Sequence, residues 1–349
     1  MSHKKKIIFN CIFLLVCFAL TMYYVFHGQD FSKIMSYVKD AHSLYWLLGV
    51  VLVIGFILGE SVIIFYLMRS LGKQPKLNHC FLYSFVGFFF SLVTPSATGG
   101  QPAQVLFMKK DKLPVHLSTL VLLLVTITYK LVLVIIGIAV LILRPSFVMT
   151  CLDPIMHWVW LGIFLNVLCV GGMLCLVFSP GLAKRIVMAC FFLLKRFTSS
   201  KKVHSFESKL SGSMDKYSAA ASYFEHHKRI LFNVLALTFL QRIFLFFITW
   251  LVLCSFDITG INALEAVTLQ AMISVAVDML PLPGGMGISE HLFQAVFLPI
   301  CGSVLTIPVM IVSRGISFYT QLFISAVFTV IAYFVVFREG KEKKNDRIL

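Results

Sequence analysis

Six ionisable side chains stand inside stretches that are otherwise apolar enough to lie in a membrane. Placing a charge at the centre of a membrane helix costs about 2.5–3.5 kcal/mol or more, so such residues face the protein interior or a water-filled cavity and are functional candidates. Cations there suit a phosphate, and carboxylates suit an amine. The three cations are Lys130, Arg242 and Arg314, and the three acids are Glu60, Asp278 and Glu290.

Two stretches rich in proline and glycine interrupt the apolar sequence near these charges. The first, residues 94–104, reads Thr-Pro-Ser-Ala-Thr-Gly-Gly-Gln-Pro-Ala-Gln, and the second, residues 281–290, reads Pro-Leu-Pro-Gly-Gly-Met-Gly-Ile-Ser-Glu. Non-helical backbone at membrane depth is tolerated where protein buries it or where it lines a water-filled cavity. Each break therefore predicts two half-helices, whose freed N–H groups and positive helix ends suit an anion such as a phosphate.

The residue types assign roles within this predicted site. The glycines of the breaks are expected to let backbone approach a headgroup, and the glutamines beside the first break to donate and accept hydrogen bonds. The three cations are expected to hold phosphate, for which Arg has the better geometry, and the three acids to balance them or meet an amine. The alternative is that the charges pair and only hold helices together. The break residues concerned are Gly99, Gly100, Gln101, Gln104, Gly284, Gly285 and Gly287.

Composition places the chain in a membrane. Of its 349 residues, 59% are hydrophobic and 13% are charged, against about 25% charged residues in soluble domains. The net charge of +15 then reports orientation and does not indicate nucleic-acid binding. The nine cysteines show no Cys-x-x-Cys pair or metal-ligand spacing and are expected to be buried hydrophobes. Known nucleotide-binding and hydrolase motifs are absent from the sequence, and no cofactor, metal or catalytic residue is expected.

Hydropathy predicts about six transmembrane helices, because about 20 apolar residues cross a bilayer. The first is interpreted as a retained helix, since its apolar run is too long for a signal peptide and no small-residue cleavage site follows. The segments are roughly 7–26, 45–68, 113–143, 155–178, 230–254 and 304–337.

The distribution of Lys and Arg predicts the orientation, with both termini on the cytoplasmic side of the cell membrane. The first interrupted segment, about 80–108, has basic residues at both ends and should enter and leave from the cytoplasm. The second, about 262–300, has none at either end and should enter and leave from outside. The predicted fold is therefore an all-α polytopic membrane protein with about six transmembrane helices and two re-entrant broken-helix hairpins.

Hairpins inserted from opposite faces indicate an inverted repeat. Lys130 follows the first glycine pair at nearly the spacing with which Arg314 follows the second. The repeats would span about 45–143 and about 230–337 within a single integral membrane domain, 1–349. The loop 179–229 is rich in basic residues and should be cytoplasmic. Its apolar residues at helical spacing over 182–197 fit either an interfacial helix on anionic lipid or a solvated linker helix.

The second break resembles the Pro-x-Pro-Gly-Gly-x-Gly-x-x-Glu signature of the lysylphosphatidylglycerol synthase transmembrane-region family. Thr98 to Pro102 resembles the counterpart of that signature in the first half, and Arg314 with Tyr319 resembles the family's last helix. Many members carry an acidic residue after the first glycine pair, where this chain has Gln101, which does not favour proton or cation coupling at that position. The resemblance implies a relative of the flippase half of the multiple peptide resistance factor, without the soluble synthase domain.

The expected function is a lipid flippase that moves a polar phospholipid, such as lysyl-phosphatidylglycerol, across the cytoplasmic membrane, with a link to cationic antimicrobial peptide resistance. One alternative is a phosphatidylglycerol lysyltransferase-type enzyme or the membrane partner of a separate cytoplasmic synthase; whether the chain is an enzyme stays open. A second alternative is an ion-coupled solute transporter. Expected partners are membrane phospholipids. A homodimer is compatible with the sequence but is indicated by no motif.

Overall fold

A computed structural model describes residues 31–179 and 203–345, together with Gly181 and Arg185 between them. The regular structure in these ranges is helical, with no strand. The predicted first helix, 7–26, and the predicted helix 182–197 apart from Arg185 lie outside the described residues. The helices are α1 (Phe31–Asp40), α2 (Ser43–Ser70), α3 (Leu77–Val93), α4 (Gly100–Lys110), α5 (Val115–Leu143), α6 (Ser146–Leu152), α7 (Met156–Phe178), α8 (Val203–His226), α9 (Lys228–Ser255), α10 (Ala263–Val277), α11 (Ile288–Arg314) and α12 (Gln321–Asn345).

Five helical runs are long and apolar enough to cross a membrane. They agree with the predicted segments 45–68, 113–143, 155–178, 230–254 and 304–337. The last run is not one straight helix, because Gly302 takes φ 70° and ψ 169° and divides α11 in two. The five runs are Ser43–Ser70, Val115–Leu143, Ser146–Phe178, Lys228–Ser255 and Pro283–Val336.

The two interrupted segments are each folded as two shorter helices joined by a break. In the first, α3 and α4 flank the 3₁₀ turn Pro95–Ala97. In the second, α10 and the first part of α11 flank the 3₁₀ turn Pro283–Gly285. The start of α10 is fixed by a reciprocal cap, in which the Asn262 side chain accepts from the Glu265 N–H (2.9 Å) and the Glu265 carboxylate accepts from the Asn262 N–H (3.0 Å). The two 3₁₀ turns contact each other at the centre of the molecule.

Helices α2 and α9 form the most extensive helix pair of the bundle. Gly55 and Gly59, spaced four apart on α2, let α9 approach closely, as small residues do in membrane helix pairs. A side chain at Gly59 would place its Cβ 2.9 Å from Cγ of Gln241, and the Gln241 amide donates to the Phe56 carbonyl at 2.8 Å. The polar bond is thus made beside the glycine against which the Gln241 side chain packs most closely.

Replacing Gly59 with leucine should therefore separate α2 from α9 and lower the thermal stability of the purified protein. Overpacking of this kind costs about 1–3 kcal/mol. The matched control is Gly171→Leu, because a side chain at Gly171 would meet nothing within 4 Å. Equal melting temperatures for the two variants in detergent would contradict this account of the α2–α9 contact.

Candidate functional site

One cavity of about 620 Å³ lies at the centre of the bundle and reaches both chain breaks. Its wall includes Ala97 and Thr98 from the first break and Gly284 and Gly285 from the second. Of the residues predicted from the sequence, those that line it are Glu60, Gln101, Gln104, Lys130, Arg242, Asp278, Gly284, Gly285 and Arg314. Gly99, Gly100, Gly287 and Glu290 lie in the same breaks but are not among the lining residues. The fold thus brings charges from distant parts of the chain to one cavity.

Three of the charges form a layer between two apolar cores. On α2, one core contains Phe56 and the other begins at Ile63, with Glu60 between them. Lys130 on α5 and Arg242 on α9 also lie between residues of the two cores. The cavity is therefore a polar layer in the middle of membrane-grade helices, where water or a polar ligand is needed to solvate the charges.

Lys130 is already neutralised by the other half of the chain. Its Nζ lies 2.6 Å from Oδ2 of Asp278, which directly follows α10, and both side chains are about nine-tenths buried. The ammonium also contacts the Met279 sulfur at 3.0 Å. A buried pair of this kind ties α5 to the second break, and removing one partner leaves the other charge without compensation.

Arg314 is used in a second ion pair, which fixes the shape of the second break. Its Nε donates to Oε1 of Glu290 at 2.8 Å, and its Nη2 donates to the Gly284 carbonyl at 3.0 Å. The other oxygen of Glu290 accepts from the Gly287 N–H at 2.7 Å. The guanidinium also lies over the Phe318 ring, within a π-helical turn, Gly315–Thr320. Two of the three predicted phosphate ligands are therefore held by carboxylates.

Arg242 has no such partner. Its guanidinium stacks on the Tyr129 ring, 3.8 Å from the centroid, and lies 5.0 Å from the Phe56 centroid. Its Nε is buried without a hydrogen-bond partner. Among the described residues, no carboxylate oxygen lies within the 4.0 Å of an ion pair with this side chain.

Glu60 is held by a neutral group. Its Oε1 accepts from the Gln104 amide at 2.8 Å, and the described part of the chain supplies no cation within ion-pair distance. Gln101 takes a different direction, donating to the Thr126 hydroxyl and to the Leu122 carbonyl, the latter at 3.4 Å. The two glutamines thus join the first break to α2 and α5, as donors.

The glycines of the two breaks have different structural roles. Gly284 and Gly287 take φ of 57° and 85°, which disfavours other residues. Gly99 and Gly100 have ordinary backbone conformations and serve close packing, because a side chain at Gly99 would press on Thr94 and one at Gly100 on Ser91. Their predicted contact with a headgroup stays a prediction, since atoms of the first hairpin occupy the space beside them.

The aromatic residues that support the site were not predicted from the sequence. Tyr129 precedes Lys130 directly, and Phe56 lies one helical turn before Glu60, so a search for aromatic residues at these spacings would have found both. The Gly-x-x-x-Gly spacing of Gly55 and Gly59 was a further signal in the sequence. The π-helical turn after Arg314 has no comparable sequence signature.

Membrane-length helices that enclose a charged cavity at two chain breaks define a multi-pass membrane protein with an internal polar site. The chain belongs to the lysylphosphatidylglycerol synthase transmembrane-region family, whose model matches residues 7–325. The resemblance inferred from the break motifs is thereby confirmed, and it links the protein to lysyl-phosphatidylglycerol biology. A search of curated proteins found no match.

The Lys130–Asp278 pair generates a stability prediction. Asp278→Asn leaves a buried ammonium without its counter-charge and should lower stability by about 3–5 kcal/mol. The double variant Lys130→Met with Asp278→Leu removes both charges and should regain most of that loss. Thermal unfolding of the purified proteins in detergent measures both effects. A double variant that is less stable than Asp278→Asn would show that the pair does more than neutralise itself.

Proposed function

We propose that the protein is a lipid translocator, in which a polar phospholipid headgroup passes through the central cavity while the acyl chains stay in the bilayer. The observation that supports it most is the charged layer between two apolar cores, closed by both chain breaks. A headgroup needs a polar path across the membrane centre, and such a layer lowers the cost of its passage. The name of the family indicates one candidate lipid, lysyl-phosphatidylglycerol.

The contacts between helices support an inverted repeat, with repeats at about 45–143 and 230–337 in one membrane domain. The first helix of each repeat packs on the first arm of its own hairpin, α2 on α3 and α9 on α10. That same arm contacts the last helix of the other repeat, since α3 packs against α12 and α10 against α5. Pairs of matching contacts are what two-fold related halves produce.

The same arrangement supports two re-entrant hairpins inserted from opposite faces, beside about six transmembrane helices. The arms α3 and α10 are shorter than the five spanning runs, and each is turned back by a break at the centre of the bundle. Together with the Lys and Arg distribution, this arrangement supports a cytoplasmic location for both termini and for loop 179–229. Membrane phospholipids are the proposed partners. A separate cytoplasmic synthase that supplies the lipid and a homodimer stay predictions.

Transport should depend on the open volume of the cavity. Ser274 lies half-buried in the cavity wall on α10, and Ser274→Phe adds a ring without changing any charge. We expect lipid movement in proteoliposomes, followed with acyl-labelled lipid and dithionite, to fall about tenfold, which corresponds to about 1.4 kcal/mol.

The matched control is Leu264→Phe at the exposed start of the same helix, which should move lipid as fast as the wild type. No movement of phosphatidylglycerol, lysyl-phosphatidylglycerol, phosphatidylethanolamine or a neutral glycolipid by folded wild-type protein would overturn the proposed function. Counterflow of a water-soluble solute through the same protein would then favour the transporter alternative.

Orientation is tested at two glycines whose surroundings are open. Side chains at Gly212 and Gly260 would meet nothing within 4 Å, so a single cysteine fits at either position in a background without native cysteines. A cysteine at 212 should be labelled by a membrane-impermeant thiol reagent only after the cytoplasmic side is opened, and a cysteine at 260 should be labelled from outside. The reverse labelling pattern would invert the proposed topology.

A further inference from the structure

Of the six intramembrane charges, four form ion pairs among the described residues and two do not. Asp278 holds Lys130, and Glu290 holds Arg314 while it also caps the Gly287 N–H. Each of these four side chains joins two elements of the fold, so withdrawing one for a ligand would expose the partner charge in an apolar setting. A passing headgroup therefore has little to gain from these two pairs.

Arg242 differs, because no carboxylate of the described residues lies within ion-pair distance of its guanidinium. Two aromatic rings, of Tyr129 and Phe56, fix its guanidinium by cation–π contact. Its Nε has no hydrogen-bond partner although it is buried. A fixed, incompletely bonded guanidinium matches a phosphate, which accepts two parallel N–H bonds from arginine.

Glu60 likewise keeps a carboxylate oxygen that could bind a cation. Gln104 bonds one carboxylate oxygen at 2.8 Å, and no described residue bonds the other. Glu60 lies four residues after Phe56 on α2, about 6 Å along the helix axis. Because Arg242 stacks on Phe56, its guanidinium and the Glu60 carboxylate are near neighbours in the cavity, yet they are not in ion-pair contact. The gap between them suits a group that carries both charges.

We propose that this gap receives a zwitterionic phospholipid headgroup, with the phosphate on Arg242 and the ammonium on Glu60. The assignment rests on the lipid-translocation function and names its substrate class. One free guanidinium and one free carboxylate match one phosphate and one ammonium, as in an ethanolamine headgroup. A glycerol headgroup leaves Glu60 without a counter-charge. A lysyl-glycerol headgroup brings a second ammonium, for which the described residues of the cavity wall offer no further uncommitted acid.

Two measurements test the assignment separately from transport. The first is lipid retention by the purified full chain, measured by native mass spectrometry with phosphatidylethanolamine, phosphatidylglycerol and lysyl-phosphatidylglycerol supplied in equal amounts. The second is movement of the same three lipids, with acyl labels, in proteoliposomes. The variants are Glu60→Gln, which can still accept from Gln104, and Arg242→Gln. The controls are Glu225→Gln and Arg229→Gln, at exposed positions outside the cavity.

Wild-type protein should retain the ethanolamine lipid about tenfold better than the glycerol lipid, as expected for one charge-assisted contact. Glu60→Gln should abolish that preference while leaving retention of the glycerol lipid unchanged. Arg242→Gln should weaken retention of all three lipids, and both control variants should behave as the wild type. Retention that follows this pattern without any lipid movement would keep the headgroup site and reject the translocator.

Three results would overturn the assignment. One is a wild type that prefers lysyl-phosphatidylglycerol, which would give the cavity a second acceptor for an ammonium. Another is an equal loss of all three lipids in Glu60→Gln, with the variant still folded by size-exclusion chromatography. The third is full retention of the ethanolamine lipid by folded Arg242→Gln.

Discussion

The structure depends on the neutralisation of charge in a low-dielectric interior. An isolated charge inside a membrane protein is strongly unfavourable, so each of the six ionisable side chains needs a counter-charge, a hydrogen-bonding partner or solvent. Two of the three cations obtain a carboxylate at 2.6 and 2.8 Å, and these pairs connect α5 to the second break and α11 to its own break. Arg242 obtains aromatic faces instead. A ligand in the cavity beside Arg242 can supply the negative charge that pairs with its guanidinium.

The backbone N–H and C=O groups at the breaks also need polar partners in this low-dielectric interior. A helix satisfies its own N–H and C=O groups, whereas a break leaves some of them free. In the second break, Arg314 takes the Gly284 carbonyl and Glu290 takes the Gly287 N–H, so the ion pair that neutralises two side chains also satisfies two backbone groups. In the first break, the neutral amides of Gln101 and Gln104 donate hydrogen bonds to α5 and α2. The two halves therefore share a helix-break-helix arrangement. An ion pair stabilises the second break, whereas amide hydrogen bonds stabilise the first.

Much of this could be predicted from the sequence. Hydropathy located the membrane-length helices, and proline and glycine located both breaks, because these signals are local. Five of the six intramembrane charges line one cavity, and the sixth, Glu290, is bonded to Arg314. Which cation pairs with which acid could not be read from the sequence. Lys130 and Asp278 are 148 positions apart, and their contact depends on how α5 and α10 cross. The four-residue spacing of Gly55 and Gly59 could have predicted the close approach of α2 and α9, but that prediction was not made.

The central claim is that the cavity is an aqueous, polar space inside membrane helices. The most direct test compares two adjacent positions at one depth of α7, Cys169 in the cavity wall and Leu168, which is 65% exposed on the outer surface. One protein keeps Cys169 as its single cysteine, and the other carries Leu168→Cys in a background without native cysteines. A small, charged, membrane-impermeant thiol reagent should label Cys169 in proteoliposomes and leave the cysteine at 168 unmodified, because thiolates form in water and not in hydrocarbon. Equal protection of both positions would contradict the account.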